Sequence, residues 1–318
     1  MRNRALVQVM PSTACNARCP YCYEEGHRIL TMNNDVEHAT ARFVSSLFRD
    51  YERISLVWFG GEPLLCMEAI ERLSAELSAS PDCDRDRLSQ SIITNGALLR
   101  AAMNRGFFDR CGITAIQVSM DGYGGDNART KGFRGPMCSY HQLVDSIENC
   151  LIAGYQVTVR MNVSTTNEES LIALARDLKD TLGSFDSFSI YPAPLYGKGG
   201  QYLEPSHIGS AIRRLRNTIG HQRVRRRGSS WNCFDNCTYV VQPDGLVVPC
   251  EHLFGIEKHS LGNVLDRVGS ITAKEMVAVC AMCSNVASCK QGCFSTDFED
   301  MSDPAICACK STLCWRRN

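Results

Sequence analysis

Short apolar segments alternate with amphipathic segments along the first 195 residues of the chain. Six of the apolar segments have the length and residue types of strands: Ala5–Met10, Ile54–Phe59, Ser91–Thr94, Ala115–Met120, Gln156–Val163 and Phe185–Pro192. Helical spacing of apolar residues lies between them, as in Glu168–Leu182. This alternation predicts an α/β fold with a parallel sheet covered by helices. Since a closed barrel needs eight units, we expect a partial (β/α)6 TIM-like barrel whose functional residues follow the strands.

The charge balance of the chain excludes several kinds of partner. Lysine and arginine number 34, as do aspartate and glutamate, so the formal net charge is zero. A neutral chain lacks the broad positive surface that non-specific nucleic-acid binding needs. No apolar run approaches the ~18 residues of a membrane span, and the first apolar stretch ends at Pro11, too early for a signal peptide. We therefore expect a cytoplasmic protein that binds neither nucleic acid nor membrane.

The 18 cysteines fall mainly into two groups. Cys15, Cys19 and Cys22 lie in "TACNARCPYCYEEG", and ten more lie between Cys233 and Cys314. In a reducing compartment clustered cysteines hold metal more often than they form disulfides. Three thiolates leave a tetrahedral zinc site incomplete, whereas they can bind three irons of a four-iron cluster and leave one iron open. A disulfide, a zinc site and an iron–sulfur cluster are the alternatives at this point.

The second half of the chain has a different composition. The alternation stops near Leu195, and the basic run "RRLRNTIGHQRVRRRG" follows at 213–228. This run is either a solvated surface or a docking surface for an acidic peptide segment. From Trp231 onward the chain is dense in cysteine and glycine, so we expect metal centres to hold it. The predicted domains are residues 1–210 and residues 211–318.

The spacing C-x3-C-x2-C, with Tyr21 before the last cysteine, resembles the signature of the radical S-adenosylmethionine (radical SAM) family. The motifs "GGEP", "TNG" and "SMDG" each end a predicted strand, as in members of that family. The resemblance implies a 4Fe-4S cluster on Cys15, Cys19 and Cys22, with its open iron bound by S-adenosylmethionine. It also implies a set of residues that bind S-adenosylmethionine: Tyr21, Gly60, Gly61, Glu62, Pro63, Thr94, Asn95, Ser119 and Arg160. Glu62 is expected to meet the amino group of the methionine part and Arg160 its carboxylate.

The cysteine-rich half is similar to the SPASM extension of radical SAM peptide and protein maturases, and a zinc ribbon is the alternative. This similarity implies two auxiliary 4Fe-4S clusters, which makes three clusters in all. The first auxiliary cluster would be held by Cys233, Cys237, Cys250 and Cys293, and the second by Cys280, Cys283, Cys289 and Cys307. Cys309 and Cys314 are alternatives to Cys307. The auxiliary clusters would either accept an electron from the product radical or act structurally.

The resemblance implies an oxidoreductase that cleaves S-adenosylmethionine to a 5′-deoxyadenosyl radical, which abstracts hydrogen from the substrate. The expected substrate is a ribosomally made precursor peptide that receives a cross-link, either a cyclophane-type C–C bond or a thioether. Formylglycine formation in a sulfatase and peptide epimerisation are the alternatives. Glu251 is expected to act as the catalytic base. Because the first cysteines begin at residue 15, we expect the leader peptide to be recognised either by a separate protein or by direct docking on the barrel or the basic run. Flavodoxin or ferredoxin is expected to donate electrons.

Overall fold

The computed structural model describes residues 2–22, 24, 28–133, 139–164, 166–194, 205–220, 237–249, 251–255, 257, 260–266 and 271. Its strands are β1 Arg2–Val9, β2 Tyr51–Trp58, β3 Leu88–Thr94, β4 Ile113–Ser119, β5 Gln156–Val163, β6 Phe188–Pro194, β7 Cys237–Val241, β8 Leu246–Val248 and β9 Gly262–Asn263. Its α-helices are α1 Asn34–Ser46, α2 Met67–Ala79, α3 Leu99–Asn104, α4 Phe107–Cys111, α5 Gly125–Lys131, α6 Tyr140–Ile152, α7 Glu168–Leu182 and α8 Pro205–Ile219.

The strands form one sheet in the order β6-β5-β4-β3-β2-β1-β7-β8-β9. Strands β1 to β6 are parallel, and each pairs with the next one along the chain. The predicted α/β fold with a partial barrel is therefore confirmed for the first half of the chain. Because the strands run in one direction, all their carboxyl ends lie at one edge of the sheet.

The helices cover one face of the sheet and form the main core with it. In α7 the buried residues Leu171, Leu174, Leu178 and Leu182 recur at helical spacing, as the sequence predicts. Alternate residues of the strands belong to the same core. On β5 these are Val157, Val159, Met161 and Val163. The opposite residues of the strands are more polar, and Thr158 on β5 bonds Ser189 on β6 at 2.9 Å. The sheet thus has an apolar face under the helices and a polar face toward the inside of the barrel.

The carboxyl-terminal half contributes to the same sheet, although its sequence predicts no strand there. Strand β7 pairs in parallel with β1, and β8 and β9 continue the sheet in antiparallel fashion. Helix α8 runs across the predicted boundary at residue 210 and contacts α7, β5 and β6. Arg214 of the basic run pairs with Glu168 and Glu169 of α7. Residues 221–228 of that run lie outside the described residues.

The contact between β7 and the barrel gives a test of this arrangement. Tyr239 and Tyr51 share a buried hydroxyl–hydroxyl hydrogen bond of 2.9 Å, and the ring of Tyr239 packs edge-on against Phe43. We expect Tyr239→Phe to lower the free energy of unfolding by about 1 kcal/mol, because a buried hydrogen bond is lost while the ring is kept. Chemical denaturation measures this difference. Tyr123→Phe, on an exposed ring, is the control and should leave stability unchanged.

In the part of the chain that the structure describes, no helix combines the length and the apolar character needed to cross a membrane.

Candidate functional site

The three-cysteine loop that follows β1 lies against the segment that follows β2. The amide of Gly61 donates to the carbonyl of Ser12 at 3.2 Å, and the amide of Glu62 donates to the carbonyl of Ala14 at 2.8 Å. The hydroxyl of Ser12 donates to the carbonyl of Leu30 at 2.7 Å, which ties the start of the loop to its return segment. The predicted motifs of β1 and β2 are therefore adjacent at one edge of the sheet.

Glycine is required where these two segments meet. A side-chain carbon on Gly61 would lie 2.5 Å from the carbonyl oxygen of Thr13, and nearer still to that of Ala14. Gly60 has a positive φ of 127°, and a side-chain carbon there would lie 2.6 Å from the carbonyl oxygen of Ser12. Both glycines therefore permit a backbone approach that any side chain would prevent. In this way "GGEP" sets the position of the cysteine loop.

Glu62 links the ends of β2 and β3 through its buried carboxylate. One oxygen accepts hydrogen bonds from the hydroxyl of Thr94 at 2.7 Å and from the amide of Leu64 at 3.1 Å, and the other accepts from the amide of Asn95 at 2.8 Å. Burial raises the pKa of Glu62, whereas these hydrogen bonds oppose the rise. The carboxylate thus has a fixed orientation inside the site.

The three thiols of the loop lie within electrostatic range of one another, and Cys15 also lies within range of Glu62. The side-chain amide of Asn95 lies 3.9 Å from the sulfur of Cys15, and the Cys19 thiol lies 3.9 Å from the carbonyl of Lys131. Burial raises the pKa of Cys15 and of Cys22 to about 11, and the neighbouring thiols add to the rise in both. Thiols of this kind need a bound metal to hold them as thiolates.

The donor set consists of three cysteine thiols in one loop, which is the ligand type that an iron–sulfur cluster takes. Within the described residues, no three thiol, imidazole or carboxylate groups stand close enough to hold one metal ion. In a four-iron cluster each thiolate binds a different iron, so the thiolates lie farther apart than around one ion. Three loop thiols at the carboxyl end of a barrel strand match such a cluster with one iron left for another ligand. Cys15, Cys19 and Cys22 are therefore the residues that would hold it.

A buried polar network lies beside the loop, at the ends of β4 and β5. The hydroxyl of Tyr21 donates to the carboxylate of Asp121, and the ammonium of Lys131 pairs with the same carboxylate at 2.8 Å. Lys131 also donates to Ser119 at 2.9 Å, and the amide of Asn162 donates to Asp121 at 2.9 Å. The network joins the cysteine loop, α5 and two strand ends.

The structure brings together the residues that the sequence predicts for cofactor binding. Ser119 lies at the end of β4, and the guanidinium of Arg160 on β5 donates to the side-chain oxygen of Asn162 at 3.0 Å. Pro63 is buried at the start of a short 3-10 helix after Glu62. Lys131 and Asn162 belong to the buried network around Asp121, and neither was predicted from the sequence. Alternation along β5 places Asn162 on the same face as Arg160, whereas no sequence signal pointed to Lys131.

The predicted residues of the second half are described only in part. Glu251 is partly exposed at the start of a 3-10 turn, Glu251–Leu253, and Cys237 begins β7. The other predicted ligands of the auxiliary clusters lie outside the described residues: Cys233, Cys250, Cys280, Cys283, Cys289, Cys293 and Cys307. Their assignment stays a prediction.

Known proteins resemble this chain in sequence and in fold. The serine-type anaerobic sulfatase-maturating enzyme of Klebsiella aerogenes is 25% identical over 324 residues, which cover 88% of this chain and 77% of that protein. Native anSMEcpe with bound AdoMet has a similar fold, with a TM-score of 0.69 at 18% identity, covering 98% of this chain and 96% of that chain. SuiB of Streptococcus suis bound to precursor peptide SuiA also has a similar fold, with a TM-score of 0.67 at 13% identity, covering 97% of this chain and 76% of that chain.

The model of the Radical SAM superfamily matches residues 9–178, which is more than half of the chain. The matched range begins at the end of β1 and includes the cysteine loop and the ends of β2 to β5. The resemblance seen in the sequence motifs is confirmed at this level. The chain belongs to the radical SAM superfamily.

Proposed function

We propose that this protein uses S-adenosylmethionine and a 4Fe-4S cluster to abstract hydrogen from a side chain of a peptide or protein substrate. The observation that carries the proposal is the packing of the three-cysteine loop against "GGEP" and "TNG". Three thiols, a buried carboxylate and several backbone groups meet there at the carboxyl edge of a parallel sheet. In barrels of this kind that edge is where chemistry takes place.

When bound, the cluster and S-adenosylmethionine supply a 5′-deoxyadenosyl radical. Cys15, Cys19 and Cys22 would hold the cluster as thiolates. Glu62 presents a fixed negative charge to the ammonium of the methionine part, and Arg160 pairs with its carboxylate. Tyr21, Asn95 and Ser119 orient the remainder of the cofactor.

The relatives support a substrate that is a peptide or a protein. The similarity to a sulfatase-maturating enzyme extends over most of this chain, which favours oxidation of a serine or cysteine side chain to an aldehyde. A second candidate is a cross-link in a ribosomally made peptide, favoured by the shared fold of an enzyme that binds a precursor peptide. Glu251, which begins the turn that follows β8, is the proposed base in either reaction.

Several partners stay predictions. Two auxiliary 4Fe-4S clusters on the carboxyl-terminal cysteines are proposed to take up the electron released when the product radical is oxidised. The domain boundary near residue 210 is proposed on composition. An electron donor such as flavodoxin or ferredoxin, and a separate protein that recognises a leader peptide, complete the proposed system.

The proposal is tested by anaerobic reconstitution with iron and sulfide, followed by reaction with S-adenosylmethionine and a reductant. We expect a brown protein that forms 5′-deoxyadenosine. A preparation that binds about one zinc per site, stays colourless and forms no 5′-deoxyadenosine would overturn the proposal. Iron analysis of the same sample gives the number of clusters.

Candidate peptides containing serine, cysteine and aromatic residues distinguish the possible products. Oxidation of serine and formation of a cross-link both remove two hydrogens, so mass alone does not separate them. An aldehyde reacts with an aminooxy probe, whereas a cross-link changes the fragmentation pattern across the joined residues. Incorporation of one deuterium from heavy water without loss of mass indicates epimerisation. Each product class selects one of the candidate functions.

A further inference from the structure

Lys131 occupies an unusual position for a lysine. Among the residues that the structure describes, it is the one lysine or arginine that is buried, and its side chain is 3% exposed. Its ammonium pairs with Asp121 at 2.8 Å and donates to Ser119 at 2.9 Å and to the hydroxyl of Tyr21 at 3.2 Å. Three donors therefore meet three acceptors, which satisfies a buried ammonium.

The backbone around Lys131 also contacts the cysteine loop. Its carbonyl accepts the amide of Arg18 at 2.8 Å and lies 3.9 Å from the sulfur of Cys19. The next residue, Gly132, has a φ of 55°, and a side-chain carbon there would lie 2.9 Å from the carbonyl oxygen of Arg18. The end of α5 is thus packed closely against the middle of the loop.

Asp121 is also held by Asn127 on α5, Asn162 on β5 and Asn167 at the start of α7. Its amide donates to Asn127 at 2.9 Å, and Asn162 donates to its carboxylate. Asn167 donates to its carbonyl at 3.1 Å. Asp121 is therefore a fixed point, and Lys131 and Tyr21 are the groups that attach the loop to it.

From these contacts we infer that Lys131 is a positioning residue for the cysteine loop, acting through the hydroxyl of Tyr21. The ammonium holds Tyr21 against Asp121, and Tyr21 lies between Cys19 and Cys22. The contact of Tyr21 with Asp121 therefore fixes the positions of Cys19 and Cys22 relative to "GGEP" without the help of a metal. The expected effect on the binding of S-adenosylmethionine rests on the proposed function, whereas the contacts of Lys131 and Tyr21 do not depend on a cluster.

Three single variants, two double variants and a control test the inference. Lys131→Met removes the ammonium and keeps the length of the side chain, and Lys131→Arg keeps the charge. Tyr21→Phe removes the hydroxyl and keeps the ring. Asp121→Asn combined with Lys131→Met avoids leaving a buried carboxylate without its cation, in case Lys131→Met alone fails to fold. Lys179→Met, on an exposed residue of α7, is the matched control.

The first measurement is hydrogen exchange of residues 15–22 in the protein as isolated. We expect faster exchange in Lys131→Met and in Tyr21→Phe, and exchange like that of the unchanged protein in Lys131→Arg and Lys179→Met. The double variant of Asp121 and Lys131 should exchange as fast as Lys131→Met. Slow exchange in the double variant, or in Lys131→Met if that variant folds, would contradict the inference even if no cluster ever assembles.

The second measurement is binding of S-adenosylmethionine to the reconstituted protein, followed by the change it causes in the electron paramagnetic resonance signal of the reduced cluster. Groups that orient metal ligands change metal affinity or activity by about 10- to 100-fold, and S-adenosylmethionine is proposed to bind to the metal of this site. We expect a loss of about 10-fold or more in affinity in Lys131→Met, recovery in Lys131→Arg, and no change in Lys179→Met.

The combination of Tyr21→Phe and Lys131→Met decides whether Lys131 acts through Tyr21. If Lys131 acts through Tyr21, the variant that combines Tyr21→Phe and Lys131→Met should lose no more affinity for S-adenosylmethionine than the weaker-binding of the two single variants. Additive losses would show that the two side chains act separately and would overturn the inference. A protein that forms no cluster in any variant refutes the proposed function, and the exchange measurement then decides the positioning role by itself.

Discussion

Replacement of Cys15 by alanine should abolish the formation of 5′-deoxyadenosine. A four-iron cluster with one open iron has three thiolate ligands, and the loop provides Cys15, Cys19 and Cys22. The loss of one ligand leaves two thiolates, which do not hold the cluster with a single open iron. The measurement is the amount of 5′-deoxyadenosine formed after anaerobic reconstitution, together with the iron content per chain.

The control for this substitution is another thiol outside the loop. Cys83 is partly buried near the end of α2. Its backbone amide donates to the backbone carbonyl of Ser80 at 3.1 Å. Cys83→Ala should therefore keep full 5′-deoxyadenosine formation and the same iron content. Turnover by Cys15→Ala at a rate like that of Cys83→Ala would contradict the ligand assignment. Retained iron with lost turnover in Cys15→Ala is compatible with clusters at the carboxyl-terminal cysteines.

Gly61→Ala is expected to lower activity by about 100-fold. The added carbon would lie 2.5 Å from the carbonyl oxygen of Thr13. Because that oxygen is a backbone atom and the added carbon is bonded directly to the backbone of residue 61, neither can rotate away, so the loop has to move to relieve the overlap. A displacement of about 1 Å at a catalytic centre costs about 100-fold in rate. Overpacking of this kind also costs about 1–3 kcal/mol in stability. The rate of 5′-deoxyadenosine formation and chemical denaturation measure the two effects.

Gly125 provides the matched control for Gly61. It begins α5, and no atom lies within 4 Å of the position that a side-chain carbon would occupy. Gly125→Ala should leave activity unchanged and stability equal or slightly higher, since alanine favours a helix by about 0.8–1.0 kcal/mol relative to glycine in a helix interior. Equal activity in both variants would show that the contact between "GGEP" and the cysteine loop does not set the site.

The strand Cys237–Val241 could not be predicted from the local sequence. Residues after Trp231 form a cysteine-rich segment with little periodicity, and their sequence predicts no strand at Cys237–Val241. That strand pairs with β1, which is more than 200 residues away in the chain. Its register depends on an available edge of β1, and no pattern within the segment itself records that edge.

The sequence by itself determined the parallel α/β architecture and the residues of the candidate site. Apolar strands and amphipathic helices have different periods, so their alternation is legible without a structure. The motifs after β1, β2, β3 and β4 could be placed together because the ends of parallel strands share one edge of the sheet. Cys15, Glu62 and Asn95 were therefore expected near one another, and the structure has them in contact or within electrostatic range.

Only the tertiary structure decided how the loop is held in place. Lys131 stands on a short helix that carries no recognised motif, and its role depends on three partners that are distant in sequence or on another element. A lysine in an isolated segment is most simply interpreted as a solvated charge. The chain brings it into the interior because Asp121, Ser119 and Tyr21 satisfy its ammonium there, and such compensation exists only once the strand ends have come together.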